Sequence, residues 1–183
     1  MDNRYVKIFA SGSKAPLKAT PGHFATNHAH INYYLDMTTL KTRLSEAQEV
    51  AKHLAERFLF DKVVDTIVCL EGTQVIGAYL AEELTRAGVL STNAHKTIYV
   101  ITPEYNSNSQ MVFRENILPM VHGKNVVILT AVVTTGLSLN KSIEAIQYYG
   151  GKLQSAAAVF STLDELNGCP ITSIYSPEDV TDY

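Results

Sequence analysis

The stretch NVVILTAVVTTGLSL, Asn125–Leu139, decides how this chain is read. Asn125 to Leu129 is an apolar, β-branched run of the kind that forms a strand buried on both faces. Leu137 to Tyr149 then follows helical spacing until Gly150-Gly151 stops it. Between strand and helix lie Thr134, Thr135, Gly136, Leu137 and Ser138. The first amides of a helix have no acceptor within it, and the helix dipole adds partial positive charge there. Gly136 lets the backbone approach an anion, and the hydroxyls of Thr134, Thr135 and Ser138 add donors without charge. These five residues are therefore the candidate phosphate site, and an ordinary Thr/Ser/Gly helix cap is the competing reading. The loop is not a Walker motif, because no Gly-Lys-Ser/Thr follows a first glycine at the required distance.

Working outward, the same alternation repeats. Ser45 to Phe60 carries Ala47, Val50, Ala51, Leu54, Ala55 and Phe58 at helical spacing behind a serine cap and Glu46. Asp65 to Leu70 (DTIVCL) reads as a strand, Glu71-Gly72-Thr73 as its turn, and Val75 to Ala87 as a helix closed by Gly88. Thr97 to Ile101 is the next strand, and the polar stretch Pro103 to Gln110 has the composition of a mobile loop. Leu153 to Phe160 and Ile171 to Tyr175 complete the strands, after an N-terminus that reads as irregular. Strands separated by helices imply right-handed crossovers: an α/β, doubly wound, mostly parallel sheet with helices on both faces. Ligands of such sheets bind beyond the carboxyl ends of the strands, which singles out the turns Glu71 to Gln74, Thr102 to Gln110 and Thr130 to Ser138.

Composition narrows the function classes. A length of 183 residues with 46% hydrophobic and 18% charged residues suits one globular domain, residues 1–183. A net charge of −3, with no basic stripe, argues against nucleic acid as a partner. No apolar run reaches the roughly 20 residues of a membrane span, and no apolar signal core opens the chain, so a cytoplasmic protein with no membrane partner is expected. Cys69 and Cys169 read as two free thiols.

Three quoted segments carry a resemblance. VVILTAVVTTGLSL is similar to the phosphoribosyl-pyrophosphate signature of type I phosphoribosyltransferases, in which a strand precedes two acids and a Thr-Gly-x-Ser/Thr loop. GHFATNHAHINYYLDM (Gly22–Met37) resembles the substrate hood of the orotate phosphoribosyltransferases, and IVCLEGTQVIGAYLAEEL (Ile67–Leu84) their pyrophosphate loop and following helix. The resemblance implies a hood within about residues 1–40 and a phosphorylated ribose or nucleoside monophosphate as ligand. It makes Glu71, Gly72, Thr73 and Gln74 pyrophosphate-loop candidates, and Tyr33 and Tyr34 base or hood candidates. It further implies transfer of a phosphoribosyl group in nucleotide metabolism, Mg2+ if the chain is catalytic, and a homodimer. Apolar residues of MVFRENILPMV, Met111 to Val121, could supply part of the dimer contact.

The departures fall on charge. Thr130 and Ala131 stand where the resemblance has two acids, Glu104 stands near an expected basic position with Arg114 the only cation there, and Ser161-Thr162 replaces an Asp-Arg pair. Two charge-assisted hydrogen bonds, worth roughly 1.5–3 kcal/mol each, are thereby lost. Two accounts follow: a nucleotide-binding or regulatory protein with impaired catalysis, or an enzyme in which Glu71 or Glu104 supplies the missing charge. His28 and His30 would put two imidazoles on one face of a strand, with His23 near, but a third ligand at helical or strand spacing is not evident, and polar hood residues explain them as well; no metal site is assigned.

Overall fold

A computed structural model describes residues 5–25, 30–58, 61–86 and 91–181. Its main sheet has the order β10-β11-β9-β8-β4-β5. Five of the strands are parallel: β4 (Thr66–Cys69), β5 (Tyr99–Ile101), β8 (Asn125–Val133), β9 (Lys152–Ser161) and β11 (Cys169–Tyr175). Short β10 (Glu165–Leu166) runs antiparallel at one edge. Helices α2 (Leu44–Phe58) and α3 (Gln74–Thr85) cover one face, and α4 (Leu137–Tyr148) packs in the opposite layer.

Alternation along β8 builds both layers. Val127, Leu129 and Ala131 join the core with α2 and α3, whereas Val126 and Ile128 join the one with α4. The strand continues four residues beyond the expected Leu129. Thr130 to Val133 stay in register with β9, their backbone groups paired, so neither the Thr130 hydroxyl nor the small Ala131 ends it.

The N-terminus, which reads as irregular in sequence, is an antiparallel three-stranded sheet of β1 (Val6–Phe9), β2 (Pro16–Ala25) and β3 (His30–Asp36). Polar residues on its outer face conceal it. Ile8, Leu17 and Ala19 point into the core, while Lys7, Phe9 and Lys18 point outward. One-turn α1 (Thr38–Thr42) leads from it to α2. The expected loop at Pro103 to Gln110 instead holds a small hairpin of β6 (Glu104–Tyr105) and β7 (Met111–Val112). Its turn is organised by Asn106, whose Oδ1 accepts from the amides of Asn108 (2.9 Å) and Gln110 (3.0 Å).

His28, Phe60, Ala87 and Gly88 lie outside the described residues, and only the backbone of His30 and Phe58 is described. Met111, Phe113 and Val121, expected to offer a dimer contact, are buried in their own chain; Phe113 meets Tyr149 edge to face at 5.3 Å.

The hood and the sheet are joined by Tyr175, 1% exposed, whose hydroxyl donates to the Ala15 carbonyl at 2.7 Å. Burial, above all, raises its pKa above 10.0. The unfolded phenol therefore ionises first, and the stability that the neutral group contributes is full below about pH 10 and falls as pH rises further. Tyr175→Phe is expected to cost about 1 kcal/mol in urea denaturation at pH 7 and to flatten the decline above pH 10.

Candidate functional site

Where β8 ends, the chain bends through Thr134 and Thr135 and enters α4 across Gly136. Gly136 has φ +79°, a conformation that favours glycine, and a Cβ there would lie 3.1 Å from Leu163 and from Leu166 and press on both side chains. The Asn140 amide donates to the Gly136 carbonyl (2.8 Å) and closes the first turn. This leaves the amides at Leu137 to Leu139 pointing out of a 12-residue helix without helical acceptors. Thr134, Thr135, Leu137 and Ser138 are exposed around them.

This loop closes one end of a cleft of about 450 Å³. Glu71, Thr130 and Val132 line it from the sheet and its turns, Tyr105, Ser109 and Met111 from the hairpin, and Lys141 from α4. Among the described lining residues Glu71 is the one carboxylate and Lys141 the one cation. Lys141 was not singled out in the sequence, although Ser138, Lys141 and Ser142 share one helical face there.

The turn after β4 brings Glu71 to Thr130. Thr130 Oγ1 donates to Glu71 Oε2 at 3.0 Å, and Lys41 Nζ of α1 donates to the Glu71 carbonyl at 2.9 Å. Glu71 sits at φ +54°, uncommon for a residue with a side chain, and Gly72 follows at φ +75°. Held from two sides, this strained residue presents its carboxylate to the cleft. Thr73, by contrast, is turned inward: fully buried, its hydroxyl donates to the carbonyls of Leu70 (2.7 Å) and Leu129 (3.2 Å). Gly72 and Gln74 are exposed and do not line the cleft.

The two positions that resemble an acid pair diverge. Thr130 faces the cleft, while Ala131, 4% exposed, packs in the core with α2 and α3. Ser161 and Thr162 bond to backbone, Ser161 within the bend after β9 and Thr162 to the Gly136 loop. Ser161 Oγ donates to the Leu163 carbonyl, and Thr162 Oγ1 donates to the Thr134 carbonyl, each at 2.6 Å. Arg114 is paired with Glu104 at 2.7 Å on the outside of the hairpin. Tyr33 and Tyr34 take opposite faces of the hood: Tyr33 packs against the core, and Tyr34, 53% exposed, leans on Phe24 at 5.9 Å. Neither lines the cleft.

The titratable groups fit this layout. Burial first, and then the Glu71 charge, raise the Tyr105 phenol above its usual pKa, so it is a neutral donor beside Glu71. Burial pushes Cys69 up to about 12 and Cys169 up to about 11, which removes both thiols as nucleophiles near neutral pH. Among the described residues no three His, Cys, Asp or Glu side chains gather as a metal site. Mg2+, which the resemblance implies, would find one carboxylate in the cleft, already hydrogen-bonded to Thr130, so the donor set does not fit an ion held by the protein alone.

No family model matches the chain, and no curated protein matches it in sequence. Solved structures do match. Leishmania donovani UMP synthase superposes with a TM-score of 0.66 at 16% identity, covering 90% of this chain but only 34% of the UMP synthase chain. The chain has the fold of the type I phosphoribosyltransferases. The orotate phosphoribosyltransferase of Mycobacterium tuberculosis, solved in complex with 5-phospho-α-D-ribosyl 1-diphosphate, matches with a TM-score of 0.59 at 16% identity over 80% of this chain and 82% of that one. Leishmania donovani adenine phosphoribosyltransferase gives 0.61 at 11% identity over 89% and 77%. One phosphoribosyltransferase fold thus serves orotate and adenine enzymes alike, and the base does not follow from it.

The divergence of the acid positions has a measurable consequence. Ala131→Asp places a carboxylate in an apolar core and is expected to destabilise the protein by about 3 kcal/mol or more in urea denaturation. Thr130→Asp, at a 3% exposed position, sets a second carboxylate against Glu71, and its cost is expected to shrink in combination with Glu71→Gln, whereas that of Ala131→Asp is not.

Proposed function

We propose that the chain binds a phosphorylated ribose compound, a nucleoside 5'-monophosphate first of all, with its phosphate at Thr134 to Ser138 and its ribose toward Glu71. The observation that carries this reading is the left-handed Gly136 turn, which aims the first amides of α4 into a cleft with one carboxylate and one cation. A phosphate on those amides needs no compensating cluster of cations. Lys141 supplies one positive charge, and Glu71, fixed by Thr130, can accept from ribose hydroxyls. The same cleft is poor in what a pyrophosphate needs: Arg114 is engaged by Glu104 outside it. Catalysis, if it persists, is slow on this account, because one carboxylate stands where the resemblance has two.

A second reading, phosphoribosyl transfer with Mg2+ brought by the substrate, is favoured by the way Thr130 and Lys41 hold Glu71 at the cleft. Pyrophosphate release from phosphoribosyl pyrophosphate and a panel of bases separates the two. Turnover on the order of 1 per second or faster supports the enzyme. Turnover several orders of magnitude slower, with retained monophosphate binding, supports the binding protein. A homodimer and a cytoplasmic location belong to the same proposal. The dimer contact would rest on residues other than Met111, Phe113 and Val121, and a monomeric mass at micromolar concentration would contradict it.

Calorimetric titration with UMP and AMP tests the binding itself. Ser138→Asp, which sets a carboxylate beside the α4 amides, is expected to weaken binding at least about tenfold, or about 1.4 kcal/mol. A 2',3'-dideoxynucleoside monophosphate is expected to bind about tenfold more weakly than its ribose counterpart, and Glu71→Gln to narrow that gap. Unchanged affinity in a folded Ser138→Asp protein would remove the loop from the site.

A further inference from the structure

A second concavity, about 530 Å³, lies away from the cleft, between the outer face of the hood and the start of α2. In a chain whose net charge is −3, it gathers Lys7, Lys14, Lys18 and Arg43 against two carboxylates, Glu46 and Glu49. The strand register concentrates this charge. Lys7 and Lys18 are directly opposed on β1 and β2, an arrangement that costs free energy on a bare sheet surface. Asp36, opposite Lys18 on β3, answers one of the two. Exposed Tyr5 and Phe9 alternate with Lys7 along the same outer face, and Lys18 Nζ lies 5.6 Å from the centre of the Tyr5 ring.

Glu46 gives the groove its second, independent feature. It is 8% exposed, yet it lines the groove. Its Oε1 accepts from Thr39 Oγ1 at 3.3 Å, while Oε2 has no hydrogen-bond partner among the described residues. The Arg43 guanidinium, 3.9 Å away, is beyond hydrogen-bond distance. A buried carboxylate oxygen without a donor is costly. Glu49 is already engaged, accepting from the Lys14 amide and sharing a hydrogen bond with His53, each at 3.2 Å. The groove thus offers cations and aromatic faces above a buried carboxylate oxygen that its own cation, Arg43, compensates only loosely.

We propose that this groove is a second ligand site, for a nucleoside di- or triphosphate. Phosphates neutralise the opposed lysines and Arg43, and a base lies against Tyr5 or Phe9. Free phosphate or pyrophosphate satisfies the cations alone. The nucleoside satisfies the rings as well, and this favours it.

The test is calorimetric titration with ADP and with inorganic pyrophosphate in the full-length Ser138→Asp protein, in which phosphate binding in the cleft is expected to be weakened. ADP is expected to bind with one-to-one stoichiometry, at least about tenfold tighter than pyrophosphate. In this background Lys7→Ala with Lys18→Ala is expected to weaken both ligands at least tenfold, and to raise the thermal midpoint of the ligand-free protein by relieving the opposed charges. Tyr5→Ser with Phe9→Ser, checked for folding by the thermal midpoint, is expected to weaken ADP while leaving pyrophosphate unchanged. No ADP binding, ADP binding indifferent to the lysine pair, or equal affinity for ADP and pyrophosphate would each overturn the assignment. The monophosphate reading of the cleft stands or falls separately, on UMP and AMP binding to the protein with Ser138 intact.

Discussion

Strand β8 is paired along both edges, with β4 on one side and β9 on the other, and the cleft depends on that double pairing. Parallel neighbours end on the same side of the sheet, so the turn after β4, the turn after β8 and the bend after β9 converge. The first brings Glu71, the second the Gly136 loop, and the third Thr162, which braces Thr134. After a register shift between Val126 and Val127 the register with β9 stays constant to Val133, and Thr130 faces the cleft while Ala131 faces the core. Period-two geometry, more than the identity of either residue, separates the two positions that resemble an acid pair.

Charge in the cleft is sparse and directed. The cleft gathers backbone amides and hydroxyls around Gly136, with Lys141 one helical turn beyond. Its single carboxylate is held by a hydroxyl from the neighbouring strand and by a lysine on its own carbonyl. Such an arrangement suits a ligand with one compact phosphate and a polar sugar. A diphosphate leaving group carries more charge than one lysine can balance. The hood groove has the opposite character, with four cations around it, two of them, Lys7 and Lys18, directly opposed.

The alternation of strands and helices was legible because buried parallel strands and amphipathic helices write long, simple patterns: each main-sheet strand from β4 onward except short β10 falls on an apolar run. The hood strands were not, since β1 and β2 alternate lysines, prolines and aromatics with few core residues. The hairpin after β5 was hidden by polar composition, because its turn is made by the Asn106 side chain and not by Gly or Pro. The Gly136 loop could be read locally, as its hydroxyls and glycine lie within five residues. The Glu71–Thr130 contact spans 59 residues, and only the strand order reveals it. Thr73 shows the converse: a plausible ligand residue by position, it spends its hydroxyl on two backbone carbonyls.

The most direct measurement is a crystal structure of the protein with a nucleoside 5'-monophosphate bound. The account places the phosphate oxygens within hydrogen-bond distance of the amides between Gly136 and Ser138, with a ribose hydroxyl donating to the Glu71 carboxylate. A phosphate held elsewhere in the molecule, with the α4 amides left to solvent, would contradict it.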